Sequence, residues 1–233
     1  MQRAKASDLL AFENRARENG RVCIAGVDEV GRGPLAGPVI SAAVILPESF
    51  HASDITDSKA LSENKRNTLF SLIYGHATAI GIGIVDPVVI DKINILQASL
   101  LSMAFAVANL TPAPDFLLID GNCRVPCEVD QTAIPKGDAR SLSIAAASIV
   151  AKVSRDRLMV RYHEEFPEYG FDRHKGYPTA AHKTAIRAHG PCPIHRRTFR
   201  GVREVVSFRP IFDRPAEGGR PKTIGKPQQN NHR

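Results

Sequence analysis

The sequence predicts an α/β domain. Short apolar runs of strand length, at 22–27, 42–46, 78–85 and 116–121, are separated by stretches with helical spacing of apolar residues. Two of these runs end in carboxylates at glycine turns, Asp28-Glu29 and Asp120. The 233 residues, 43% of them hydrophobic, suit one domain of about 200 residues plus appendages.

Taken in order, residues 1–20 read as an N-terminal arm or helix, ending at Gly20, with no chemistry of its own. Val22 to Val27 is a strand that delivers Asp28 and Glu29 into a turn loosened by Gly31, Gly33 and Gly37, and Ala42 to Leu46 is a second strand. Ser62 caps a helix to about Gly75, and Thr78 to Val85 is a third strand. Three consecutive strands with short connections predict an antiparallel meander.

From Pro87 to Leu110 the spacing predicts a helix, with Asn94 as a kink. Phe116 to Asp120 is the next strand, and an extended segment runs through Ile134. A long helix spans about Ser141 to Glu165, and its Ala145-Ala146-Ala147-Ser148 run lets it press close to a sheet. Lys152 and Arg155 read as its solvated face. Pro178 and Thr179 open a helix to about His189, and Arg196 to Arg203 is read as helical. Residues 21–212 form the expected domain, and 213–233 read as a disordered basic tail.

The net charge of +7 is unevenly placed. Asp172 to Arg203 holds eight Lys and Arg residues against Asp172 alone, a one-sign block that self-repels unless a polyanion neutralises it. A nucleic-acid backbone is the obvious partner. No apolar run approaches the ~20 residues of a membrane span, and no leader pattern is visible, so the expected location is the cytoplasm. Four cysteines do not suggest a disulfide framework, and their spacings fit no standard zinc site.

Gly31-Arg32-Gly33-Pro34-Leu35-Ala36 fits a dinucleotide-loop pattern after a strand. The context excludes it, because Pro38 and a strand follow where a helix N-terminus is required, and two acids would repel a pyrophosphate. Asp28, Glu29, Asp120 and Asp138 instead converge on the strand ends and the start of the long helix. Four gathered carboxylates repel, and a hard divalent cation relieves that while leaving room for a phosphate. Sharing a site also requires the backbone to bend between Asp28 and Glu29, because neighbouring strand residues face opposite ways. A bulge or strand end at Glu29 is therefore expected.

The sequence resembles the bacterial ribonuclease HII family, the type 2 ribonucleases H. The segments that carry the resemblance are Gly26 to Gly37, Asp57 to Ser62, Leu118 to Asn122, Lys136-Gly137-Asp138, Ile144 to Val153, Arg155-Asp156 and His174 to Thr179. They occur in family order and cover roughly residues 20–205. The resemblance implies an RNase H-like fold with a central mixed five-stranded sheet flanked by helices and a C-terminal helical segment.

It further implies metal-assisted cleavage of RNA in RNA–DNA hybrids, including a lone ribonucleotide in duplex DNA; a monomer is expected. Asp28, Glu29, Asp120 and Asp138 are the implied catalytic set, holding Mn²⁺ or Mg²⁺. Gly31, Arg32 and Gly33 match the segment whose backbone reads the 2′-hydroxyl. Tyr177 matches a sugar-stacking tyrosine, and Lys59 a lysine near the phosphates. A nuclease of the same acidic-cluster superfold that ignores ribose, and a hybrid-binding protein without catalysis, are the rival readings.

Overall fold

The computed structural model describes residues 8–50, 55 and 62–208. Lys59 and the other residues of the 56–61 segment lie outside that set, as does the sequence beyond Phe208.

A short helix, α1 (Ala11–Glu18), precedes β1 (Ile24–Val30) and β2 (Val39–Ile45). Then come α2 (Glu63–His76), β3 (Ala79–Val85), α3 (Pro87–Ile93), α4 (Ile95–Ala108) and β4 (Phe116–Asp120). The remainder is β5 (Gln131–Ile134), α5 (Leu142–Glu165), α6 (Phe171–His174), α7 (Ala180–His189) and α8 (Arg203–Phe208). The five strands form one mixed sheet in the order β3-β2-β1-β4-β5. The first three make the expected antiparallel meander, whereas β4 and β5 run parallel to β1.

Period-two alternation divides the sheet between two cores. Ala25, Val27, Ala43, Ile45, Leu117 and Ile119 face α4, while Ala42 and Val44 face α5 and α2. The alanines of α5 are fully buried, and the helix comes so close that a Cβ at Gly26 would lie 2.0 Å from the Ser143 carbonyl carbon. Helix α1 is tied to the same place. Its buried Glu13 accepts hydrogen bonds from Ser141 Oγ at 2.7 Å, Ser143 N at 3.0 Å and Ser143 Oγ at 2.6 Å, holding the first turn of α5 with the Ser141 cap.

Several expectations shift. Asp28 and Glu29 lie within β1 rather than in a turn after it, because pairing with β2 continues through Val30↔Ile40. Asn94 does more than kink a helix. At φ 68° it separates α3 from α4, and its side chain caps α4 through Leu96 N and Gln97 N. Arg155 is fully buried, not solvated, and so is Arg196, which lies outside any helix. Their partners are backbone carbonyls, as described below.

The C-terminal segments pack on the turn after β1. Leu35, Ala36, Met159, Tyr169, Phe171, Ile186, Cys192, Ile194 and Val202 share one core, and Ala36 forms a β-bridge with His195. Among the described residues no helix is long and apolar enough to cross a membrane.

Candidate active site

Asp28 on β1 and Asp120 at the end of β4 occupy sheet positions that face α5, since Gly26 and Leu118, two residues earlier on each strand, meet Ser143 and Ile144. Glu29 has the opposite parity. The register from Ala25↔Ile45 to Val30↔Ile40 contains no insertion, so the bulge expected at Glu29 is absent and the strand ends one residue later, at Val30. What lets Glu29 join the site is the other edge of β1. Pairing with β4 stops at Val27↔Ile119, and the flank beyond it is open for Glu29 to reach the cleft.

Asp28, Glu29 and Asp120 line one cavity of about 310 Å³, together with Val30, Arg66, Ser148, Lys152 and Tyr177. Burial raises the Asp28 carboxyl well above the usual range, and the negative charges of Glu29 and Asp120 add to it. A hydrogen bond from Ser148 and one from the Glu29 N–H, at 2.7 Å to Oδ1, oppose the rise. Glu29 is also raised by burial, against the pull of Arg32, whose Nη1 lies 3.2 Å from Oε1. Asp120 is oriented by the Gly137 N–H, 2.6 Å from Oδ1.

Asp138 is buried in the 3₁₀ turn Gly137–Ala139, next to the residue that holds Asp120, but does not line the cavity. Among the described residues no three acids, histidines or cysteines are gathered tightly enough to hold an ion by themselves. An ion here would complete its shell with water and substrate oxygens, as Mg²⁺ commonly does. The donor chemistry suits such an ion. Three carboxylates that repel one another meet in one cleft, and Glu29 has Arg32 against it.

Three cavity residues were given no role from sequence. Ser148 reads as a small packing residue, Lys152 as a solvated one and Arg66 as part of an ordinary helix. Their signal is weak but real: Ser148 and Lys152 are four apart on α5 and so share one face. Lys152 is held by Asp156, with Nζ 2.7 Å from Oδ1.

The turn after β1 forms the neighbouring wall. Gly31 has φ 96°, and a Cβ there would lie 2.4 Å from Arg155 Nε and 2.8 Å from the Pro38 oxygen, so only glycine fits. Arg155 donates to the carbonyls of Pro38, Lys175 and Ala36 at 2.9–3.0 Å. Arg196 donates to those of Gly31, Arg32 and Gly37 at 2.5–3.0 Å. Burial lowers their pKa values to about 10 and about 9, so both remain cationic at neutral pH. Gly33 faces Tyr177, whose Cε1 would be 3.8 Å from a Cβ at that position.

The profile of the ribonuclease HII family matches residues 25–202. The chain belongs to the ribonuclease HII family. It is accordingly an enzyme, a ribonuclease H. The ribonuclease HII of Geobacter metallireducens is 57% identical over 199 residues, which cover 85% of this chain and 93% of the relative.

Among solved structures, the ribonuclease H2 of Pyrococcus horikoshii OT3 has a TM-score of 0.68 at 27% identity, covering 80% of this chain and 98% of that one. Bst-RNase HIII in complex with Mn²⁺ has a TM-score of 0.58 at 21% identity, covering 80% and 70%, and supports the fold. The mixed five-stranded sheet flanked by helices is thus the RNase H-like fold.

Proposed function

We propose that this chain hydrolyses the RNA strand of RNA–DNA hybrids and incises duplex DNA on the 5′ side of a single ribonucleotide, with divalent metal. The observation that carries this reading is one cavity lined by both Asp28-Glu29-Asp120 and Tyr177. It unites an acidic set suited to phosphodiester hydrolysis with an aromatic ring suited to a sugar.

In this reading Asp28, Glu29 and Asp120 would hold Mn²⁺ or Mg²⁺, and Asp138, buried beside Gly137, is added to the set on the resemblance. When bound, a pair of such ions supplies an activated water and charge stabilisation for the leaving 3′-oxygen. The chain's own residues do the positioning. The Gly137 N–H fixes one oxygen of Asp120, and Ser148 with the Glu29 N–H fixes Asp28, which leaves their remaining lone pairs for the cleft.

Lys152 and Arg66 put positive charge on the cavity wall, where a phosphate would lie. Tyr177 offers its ring to the deoxyribose that follows the ribonucleotide, and the backbone of Gly31, Arg32 and Gly33 meets the 2′-hydroxyl, the group that separates RNA from DNA. Products carry 5′-phosphate and 3′-hydroxyl ends. Lys59 is proposed near the phosphates on the resemblance alone.

The test is incision of a DNA duplex containing one ribonucleotide, with Mn²⁺, with Mg²⁺ and with EDTA, beside an all-DNA duplex. Metal-dependent cleavage of the first alone is expected. Equal cutting of the all-DNA duplex would overturn the ribose-reading role, and binding without cleavage in either metal would overturn the hydrolase reading.

A further inference from the structure

The two buried elements behind the turn, Arg196 and a chain of histidines, take no direct part in the chemistry above. Their hydrogen bonds nonetheless dictate how the turn presents itself. A trans peptide is planar, with its C=O and N–H pointing in opposite directions. Arg196 draws the Gly31 carbonyl inward at 2.5 Å and the Arg32 carbonyl inward at 3.0 Å. The N–H groups of the same two peptide units, those of Arg32 and Gly33, must then point outward.

Both residues are exposed, and neither N–H has a partner among the described residues. Two successive amides aimed the same way form a concave donor site for an oxygen. Tyr177 stands beside them, across Gly33.

The spacing between this donor pair and Tyr177 is set by the residue before Arg196. His195 Nε2 lies 3.0 Å from His182 Nε2, and His182 Nδ1 lies 2.9 Å from the Tyr177 carbonyl oxygen. The tautomers follow from the ends of the chain. The Tyr177 carbonyl only accepts, so His182 carries its proton on Nδ1 and accepts at Nε2. The Cys192 N–H only donates, at 3.0 Å to His195 Nδ1, so His195 carries its proton on Nε2 and donates to His182. All four groups are satisfied with both rings neutral. The chain therefore links the Arg196 segment to the tyrosine in one continuous run.

Resting on the proposed function, we propose that Arg196 and the His195–His182 pair are positioning residues for ribose recognition. Arg196 aims the Arg32 and Gly33 amides at the 2′-hydroxyl oxygen, and the histidine pair fixes their distance from the sugar-facing tyrosine. A phosphate oxygen could use the same donors, and the choice of duplexes separates the two.

The test uses full-length protein carrying Asp120→Asn to prevent cleavage, alone and combined with Arg196→Lys or His182→Phe. Affinities are measured by fluorescence anisotropy for a duplex with one ribonucleotide and for the matching all-DNA duplex. The preference for the ribonucleotide is expected to fall by about tenfold in each combined variant, with affinity for all-DNA duplex nearly unchanged. Loss of correctly folded protein would scale both affinities together and leave their ratio intact, so the ratio reads positioning rather than folding. His182→Phe keeps a ring against Phe171 and His174, which guards against Arg196→Lys failing to fold.

An unchanged ratio overturns the inference. In a variant whose thermal melting matches the parent's, an equal loss on both duplexes assigns the amides to phosphate and also overturns it. Failure of the parent protein to prefer the ribonucleotide at all would instead refute the proposed function.

Discussion

The carboxylate cleft and the arginine-histidine frame lie side by side and are built on opposite terms. In the cleft, like charges are gathered and only partly compensated, and burial raises Asp28 and Glu29. In the frame, two buried guanidiniums and two buried imidazoles are satisfied by hydrogen bonds, most of them to backbone carbonyls. The difference separates what must bind and react from what must not move. In the proposed function, unrelieved charge marks the side that would take a cation and a phosphate, and saturated hydrogen bonding marks the side that holds a shape.

The sharpest way to break this comparison is to remove charge from the cleft. Asp120→Asn retains an acceptor for the Gly137 N–H but loses the charge, so incision should fall by about 10²–10³-fold while the melting temperature stays near that of the parent. Single-turnover cleavage and thermal melting report the two quantities.

The next largest effect belongs to the frame. Gly31→Ala combines a φ of 96° with a Cβ 2.4 Å from Arg155 Nε, and should cost roughly 2–4 kcal/mol, read by denaturant unfolding. Gly33→Ala, two residues on, meets nothing closer than Tyr177 at 3.8 Å. It should alter stability by less than about 0.5 kcal/mol, yet reduce cleavage of the ribonucleotide duplex by placing a methyl between the amides and the ring.

A pH titration of stability sharpens the comparison further. His182 and His195 are lowered to about 4 and about 3, with burial the largest cause in each. Both rings bind protons more weakly in the folded chain than in the unfolded one. The stability they permit is full above about pH 6.5 and is lost as pH falls toward their folded values. The melting temperature should drop through that window with an extra uptake of at most about two protons on unfolding. His182→Phe should flatten the slope.

The smallest effect has the opposite sign. Asp28 is raised, so its contribution to stability is complete only below its unfolded pKa and is lost as pH rises through the folded value. At neutral pH the buried carboxyl is therefore a net cost to folding. Asp28→Asn in EDTA should therefore stabilise the protein by on the order of 1 kcal/mol, or about 2–4 °C in melting temperature.

Much of this arrangement was legible in the sequence. Strand runs ending in acids located Asp28 and Asp120, and the helix starts read at Ser62, Ser141 and Thr179 are N-caps in the structure. Glu29 was harder, because its access depends on where β4 stops pairing rather than on a bulge in its own strand. Arg155 reads from sequence as solvated and Arg196 as part of a basic helical segment, yet both are fully buried. Their partners are main-chain carbonyls, which every residue carries, so no complementary side chain betrays them. The same holds for His182, whose partners are the Tyr177 carbonyl and a histidine 13 residues on.

The most direct test of the division of labour compares Asp120→Asn with Gly33→Ala on two duplexes, one carrying a single ribonucleotide and one all DNA. The account predicts that Asp120→Asn binds the ribonucleotide duplex preferentially but does not cut it, whereas Gly33→Ala retains metal-dependent hydrolysis with its ribonucleotide preference reduced. If Asp120→Asn loses the preference, or Gly33→Ala keeps it intact, the cleft and the frame do not divide catalysis from ribose recognition.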